Sequence, residues 1–275
     1  PEVDYTVNPS LGIPNITGAE GSTEPVASAL PAWDCIAGNM VISSLLAAER
    51  DRLRSGKGQN VEFALKDAAA AIVGHLGMIG EATISDEQRG KSGNSLYGAY
   101  GQDFECSCGG RVIVIGLTLR QWRGLLKAMD KTDEIKKLEE ELNVSLDNEG
   151  RRWVHRHEIN NIFRPWFAKR KITEFEKGFN DLGLTWSQFR TMKEAIDEDG
   201  DTFADNPMFE TQDFDGIGKY MVPRSPVEFS NHLAISPEKP PKLGQHTEEI
   251  LADIMGLGSG EIGVLFDSGI VSFAK

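Results

Sequence analysis

With 275 residues, 40% of them hydrophobic, the chain is long enough to bury a sizeable core and is not disordered by composition. A net charge of −13 lacks the basic footprint needed for phosphate backbones, so nucleic acid is excluded as an expected partner. Cys35, Cys106 and Cys108 are too few for a disulfide framework and fit a reducing compartment, which predicts a cytoplasmic protein.

Residues 1–31 carry Pro9, Pro14, Pro25 and Pro31 with Gly12, Gly18 and Gly21, which predicts loops around at most one short helix or strand. The segment begins at Pro1 and lacks the pattern of a secretion signal, so an N-terminal portion is expected to be missing. Residues 34–53 place Ile36, Met40, Ser44, Ala47 and Ala48 at helical spacing and end in a basic turn, as in a largely buried helix. Ser55 to Gly58 stop it. Val61, Phe63 and Leu65 then alternate with Asn60, Glu62 and Ala64 as in a strand, followed by a helix over about 66–80. This succession predicts an α/β layer with parallel strands. Its apolar run at 68–73 is far short of the roughly 20 residues that span a bilayer, and no membrane association is expected.

A polar, Gly-rich stretch at 82–110 marks a domain boundary, and the continuous apolar run Val112 to Ile115 predicts a buried strand over 111–117. Helices are then predicted over 119–128, 132–142, 151–170 and 172–182. Residues 197–214 read as an acidic loop, prolines between 223 and 241 as an extended connection, and Thr247 as the cap of a helix ended by Gly256.

Chemistry concentrates at few places. Asp34 at the entrance of the first long helix reads either as an N-cap or as a carboxylate nucleophile whose developing oxyanion is met by nearby backbone amides. The segment from Gly93 to Gly101 surrounds Asn94, Tyr97 and Tyr100 with Gly98 and Gly101, and reads either as an interdomain turn or as a loop orienting a carboxylate or thioester. The glycines at 258, 260 and 263 spell G-x-G-x-x-G but follow a helix, which argues against a dinucleotide site and for a helix-to-helix turn. The acidic residues at 197–201 fail the calcium-loop pattern at its sixth and twelfth positions. Cys106 and Cys108 with His155 and His157 match no usual zinc spacing, and no metal is expected. His75, inside an apolar helix, reads as a core histidine.

The segments LPAWD at 30–34, GKGQNVEFALKD at 56–67, GHLGMIGE at 74–81, GNSLYGAYGQDFE at 93–105 and PKLGQHTEEIL at 241–251 resemble the family III CoA-transferases of the CaiB/BaiF type. Together with DYTVNPSLG at 4–12, the LPAWD and LYGAYGQDFE segments resemble a branch that moves CoA between the two carboxyl groups of mesaconate. The resemblance implies that Asp34 is the catalytic aspartate, carried through an aspartyl-CoA thioester. It implies an acyl-CoA substrate, no cofactor beyond the coenzyme A of that substrate, and an interlocked homodimer. The implied fold is α/β, with a Rossmann-like large domain, incomplete here, and a smaller helix-rich domain. Residues 1–88 would be the first part of the large domain, 89–215 the small domain, and 216–275 the linker and return to the large domain. The CoA-binding residues would fall largely in the missing N-terminal portion. Intermolecular transfer, acyl-CoA racemisation and a noncatalytic assembly fragment remain as alternatives.

Overall fold

The computed structural model describes residues 2–86, 88–233 and 235–272. They form two compact units, Pro1–Phe189 and Arg190–Lys275. The first unit opens with two short helices, α1 (Asp4–Ser10) and α2 (Ile13–Ile16), where one at most was expected. Gly12 turns the chain between them at φ +77°, a conformation that costs glycine little. The long helix α3 (Ala32–Ser55) follows and stops at Gly56, whose left-handed backbone lets its N–H donate to the Arg52 carbonyl at 2.8 Å.

Helix α3 is not the buried element its apolar content predicts. Only Trp33 and Ala37 are buried, and the helix meets α1 and the Ala-rich α4 (Leu65–His75). Val41, Ile42, Leu45, Leu46 and Leu53 are all exposed, because nothing among the described residues covers that stretch. Val7, Trp33, Ala69 and Val73 form a small core joining α1, α3 and α4. The strand expected near Val61 is likewise absent. Ala64 is extended at φ −119° and ψ 129°, yet the segment has no neighbour to complete a ladder, so Val61 and Phe63 stay exposed. Gly77 turns the chain at φ +76° into α5 (Met78–Ile84), splitting the single helix expected over 66–80.

The larger core lies downstream. Strands β1 (Tyr100–Glu105), β2 (Arg111–Gly116) and β3 (Thr185–Gln188) form one antiparallel sheet with β2 central. The described sheets are therefore antiparallel, and the parallel pairing expected from the helix and strand order is not found among the described residues. The register sets Tyr100 opposite Gly116 and Phe104 opposite Val112, so these residues share the face carrying Val114. Helices α6 (Leu119–Met129), α7 (Thr132–Leu142), α8 (Glu149–Val154) and α9 (Arg156–Ala168) accompany that sheet. Ile159, Phe163 and Phe167 recur every fourth residue along α9, which puts three fully buried side chains on one stripe. Phe167 stacks on Phe104 at 4.7 Å, and Phe163 meets Tyr100 edge-on at 5.5 Å.

Arg152 is also fully buried. Its guanidinium donates to the carbonyls of Leu117 and Leu146, both at 2.7 Å, and of Asp147 at 2.9 Å, tying the end of β2 to the approach to α8. Burial lowers its pKa from the ordinary arginine value. The helix expected over 151–170 breaks at His155, and the last helix of this unit is α10 (Glu176–Asp181).

In the second unit, Thr191 caps α11 (Met192–Glu198) reciprocally with Glu194, whose pKa this bonding lowers. The acidic stretch read as a loop contains strand β4 (Phe209–Phe214), paired antiparallel with β5 (Gly218–Pro223). Residues 224–246 are irregular, as their prolines suggest. Helix α12 (Thr247–Glu249) runs into a π-helical turn, Ile250–Ile254, and Gly256 ends it at φ +70°. His246, not Thr247, holds the cap position. Gly258 precedes α13 (Ser259–Asp267), so the glycine motif forms a helix start after a helical turn and not a strand-to-helix phosphate loop. Among the described residues no helix is long and apolar enough to cross a membrane.

Candidate active site

Asp34 lies in the first turn of α3, but Pro31 holds the cap position and Asp34 is the third helical residue. The cap reading of Asp34 therefore fails. The capping carboxylate comes from α1: buried Asp4, through Oδ2, accepts the Trp33 amide at 2.7 Å and the Asp34 amide at 3.4 Å. One turn along α1, buried Asn8 accepts the Trp33 indole N–H at 3.1 Å. Asp4 and Asn8 are four residues apart on a helix, which places both on one face against the start of α3.

The neighbouring amides are occupied too. The Ala32 N–H donates to the Leu30 carbonyl at 2.8 Å and the Cys35 N–H to the Pro31 carbonyl at 3.2 Å. The first-turn amides of α3 are thus all engaged within the protein. Asp34 itself is exposed, and among the described residues its carboxylate has no hydrogen-bond or ion-pair partner. A free carboxylate on a fixed backbone is an arrangement suited to nucleophilic attack.

The residues of the Gly-rich loop divide by environment. Tyr97 is exposed and donates its hydroxyl to Glu81 at 2.8 Å, while Arg89 pairs with Glu81 and lies 3.9 Å from the Tyr97 ring centroid. The Arg89 and Tyr97 hydrogen bonds hold the Glu81 carboxyl below its usual range, and the same Glu81 contact pushes the Tyr97 phenol up. Gly98 is exposed and turns at φ +80°. Asn94 is exposed and bonds to Asp103; burial opposes the Asp103 charge, but Arg111, Asn94 and Gln102 outweigh it and lower its pKa.

Tyr100 and Gly101, by contrast, are buried. The Tyr100 hydroxyl donates to Asn160 at 2.9 Å, and burial pushes its pKa well up. A Cβ at Gly101 would stand 2.6 Å from Ile115 Cδ1 and 2.7 Å from Leu96 Cβ. The glycine serves close packing. Gly101→Ala is accordingly expected to cost about 1–3 kcal/mol of stability, read as a lower urea midpoint at unchanged slope.

Sequence reading missed Asp4, Asn8, Glu81 and Arg89. The first two were legible only as a polar pair at helical spacing. A cavity of about 570 Å³ opens beside the Glu81–Arg89 pair, lined by Leu11, Ile13, Ile16, Val73, Met78 and Ile79 among others, and Asp34 is not in its lining. His75 is exposed, not a core histidine. Among the described residues no three His, Cys, Asp or Glu side chains are placed to hold a metal. His155 and His157 face Glu158 at 3.9 Å and Glu20 at 3.3 Å, and burial raises the Cys106 thiol to about 11.

The chain is 46% identical over 271 residues to 2-methylfumaryl-CoA isomerase of Chloroflexus aurantiacus, covering 98% of this chain and 66% of the relative. It is 23% identical to human succinyl-CoA:glutarate CoA-transferase, over 98% of this chain and 59% of that protein. The chain thus spans a little under two thirds of the length of these curated relatives. A crystal structure of a CAIB/BAIF family protein from Brucella suis superposes with a TM-score of 0.68 at 19% identity, over 91% of this chain and 62% of that one. The family model for CoA-transferase family III matches residues 1–247, and the chain belongs to that family.

Proposed function

We propose that the complete protein moves CoA between the two carboxyl groups of mesaconate through covalent catalysis at Asp34. The observation that carries this reading is the 46% identity to a 2-methylfumaryl-CoA isomerase across 98% of the chain. The unpartnered Asp34 carboxylate supports it. In this scheme the Asp34 carboxylate attacks the thioester carbonyl of 2-methylfumaryl-CoA, expelling CoA thiolate and leaving a mixed anhydride. The thiolate attacks the aspartyl carbonyl, giving an aspartyl-CoA thioester and free mesaconate. Mesaconate then attacks that thioester through its other carboxylate, and the released thiolate closes the cycle on the new anhydride, returning Asp34.

Retaining the dicarboxylate makes each step effectively intramolecular, an advantage of up to about 7–11 kcal/mol in well-oriented systems. Asn94, Tyr97 and Gly98 are the loop residues offered to substrate, with Tyr100 and Gly101 supporting them from within. We assign residues 1–88 and 216–275 to a large domain and 89–215 to a small one, in a cytoplasmic, interlocked homodimer that works without metal, nucleic acid or membrane. Turnover in the presence of isotope-labelled free mesaconate tests the scheme. Product ester should stay essentially unlabelled, whereas label incorporated at each turnover would point to intermolecular transfer, the activity named for the 23% identical human relative.

A further inference from the structure

Three residues of α1 hold the start of α3 through the Trp33 and Asp34 backbone and the Trp33 side chain, and none of them bonds the Asp34 side chain. Asp4, 3% exposed, accepts both the Trp33 and Asp34 amides; Asn8, 5% exposed, accepts the Trp33 indole; and Val7 packs with Trp33 in the small core. We propose that Asp4 is a positioning residue for Asp34, with Asn8 as its companion: together they clamp the first turn of α3 so that the Asp34 carboxylate projects free. The proposal rests on the reading of Asp34 as nucleophile and names what makes it available.

The physical argument is one of competition. The first N–H groups of a helix have no partner within it, and a short acidic side chain in the first turn is a ready acceptor for them. An aspartate there is ordinarily drawn to these donors and held by them. Here a buried carboxylate from another helix occupies the Trp33 and Asp34 amides first. Asp34 has no local donor left to satisfy, and its carboxylate remains exposed without a partner among the described residues. The Trp33 side chain, fixed at Asn8 and 8% exposed, removes rotation of the same turn about the helix axis. Asp4 and Asn8 touch no reacting atom in this scheme. Their effect reaches the chemistry through the direction in which Asp34 points, and displacing a reacting group by about 1 Å costs on the order of 10²-fold in rate.

The test uses the full-length enzyme with 2-methylfumaryl-CoA, measuring steady-state turnover and the rate at which hydroxylamine-trapped modification accumulates at Asp34. Asp4→Ala should lower kcat on the order of 10²-fold with KM nearly unchanged, and should slow trapping in parallel. Asp4→Asn keeps an acceptor oxygen for the Trp33 amide and should restore most of the loss. A purely structural role would reduce the amount of folded enzyme while leaving kcat per folded molecule and the trapping rate intact, and that result overturns the proposal. If Asp4→Ala does not fold, Asn8→Ala decides: lowered kcat at constant KM supports the clamp, and unchanged kcat overturns it. Modification found at a residue other than Asp34 overturns the nucleophile reading, and the clamp with it. Modification at Asp34 formed at full rate in the folded variant overturns the clamp alone.

Discussion

Asp34→Ala in the full-length enzyme is expected to lower kcat on the order of 10⁴-fold or more while leaving the protein folded. Removing the nucleophile of a covalent mechanism eliminates the intermediate itself, so the loss falls on kcat and on kcat/KM together. Folding should be spared because the first turn of α3 does not depend on this side chain: Asp4 accepts the Trp33 and Asp34 amides, and among the described residues the Asp34 carboxylate makes no hydrogen bond or ion pair. An exposed, unpartnered side chain changes stability by about 0.5 kcal/mol at most when truncated. Steady-state kinetics beside a thermal melt give both halves of the result. A variant that melts normally and turns over at an undiminished rate would refute covalent catalysis at this position.

The largest effect on stability is expected far from that carboxylate, at Arg152. Truncation to alanine removes the donors that serve the Leu117, Leu146 and Asp147 carbonyls and leaves a cavity beside Trp122, whose ring lies 5.5 Å from the guanidinium carbon. The Leu146 carbonyl, on a fully buried residue, loses a charged donor, and breaking such an arrangement from one side costs about 3–5 kcal/mol, of which water reaching the exposed Leu117 and Asp147 recovers a part. Urea unfolding of Arg152→Ala should therefore show a strongly lowered midpoint at unchanged slope. A midpoint matching the parent protein would show that these carbonyls find other partners.

How far the sequence could be read depended on whether the relevant interaction was local. Strand β2 was legible because Val112 to Ile115 is a continuous apolar run, and helices α6 and α7 because their apolar residues recur at helical spacing. Its partner β1 was not: Tyr-Gly-Gln-Asp-Phe-Glu shows no alternation, and its burial follows from pairing with β2 and from the aromatic stripe of α9. The β4–β5 hairpin was hidden by acidic residues, although Asp215-Gly216 is the turn signal that could have disclosed it. The extended segment near Val61 has the alternation of a strand, but a strand also needs a neighbour, which no local pattern supplies.

The site divides in the same way. Asp34 was singled out by its place at the mouth of an apolar helix and by resemblance. Its relation to Asp4 spans 30 residues, and nothing in the composition of either segment announces it. Tyr100 illustrates the converse, since its setting among flexible glycines suggested an accessible phenol while the sheet register turns it into the core.

The 24 residues of α3 make a stiff rod about 36 Å long, fastened close to one end. Like a beam pivoted beside its hinge, it swings least near Trp33 and most near Gly56. The reacting carboxylate stands next to the fulcrum, so a tilt forced on the distal leucines reaches it much attenuated.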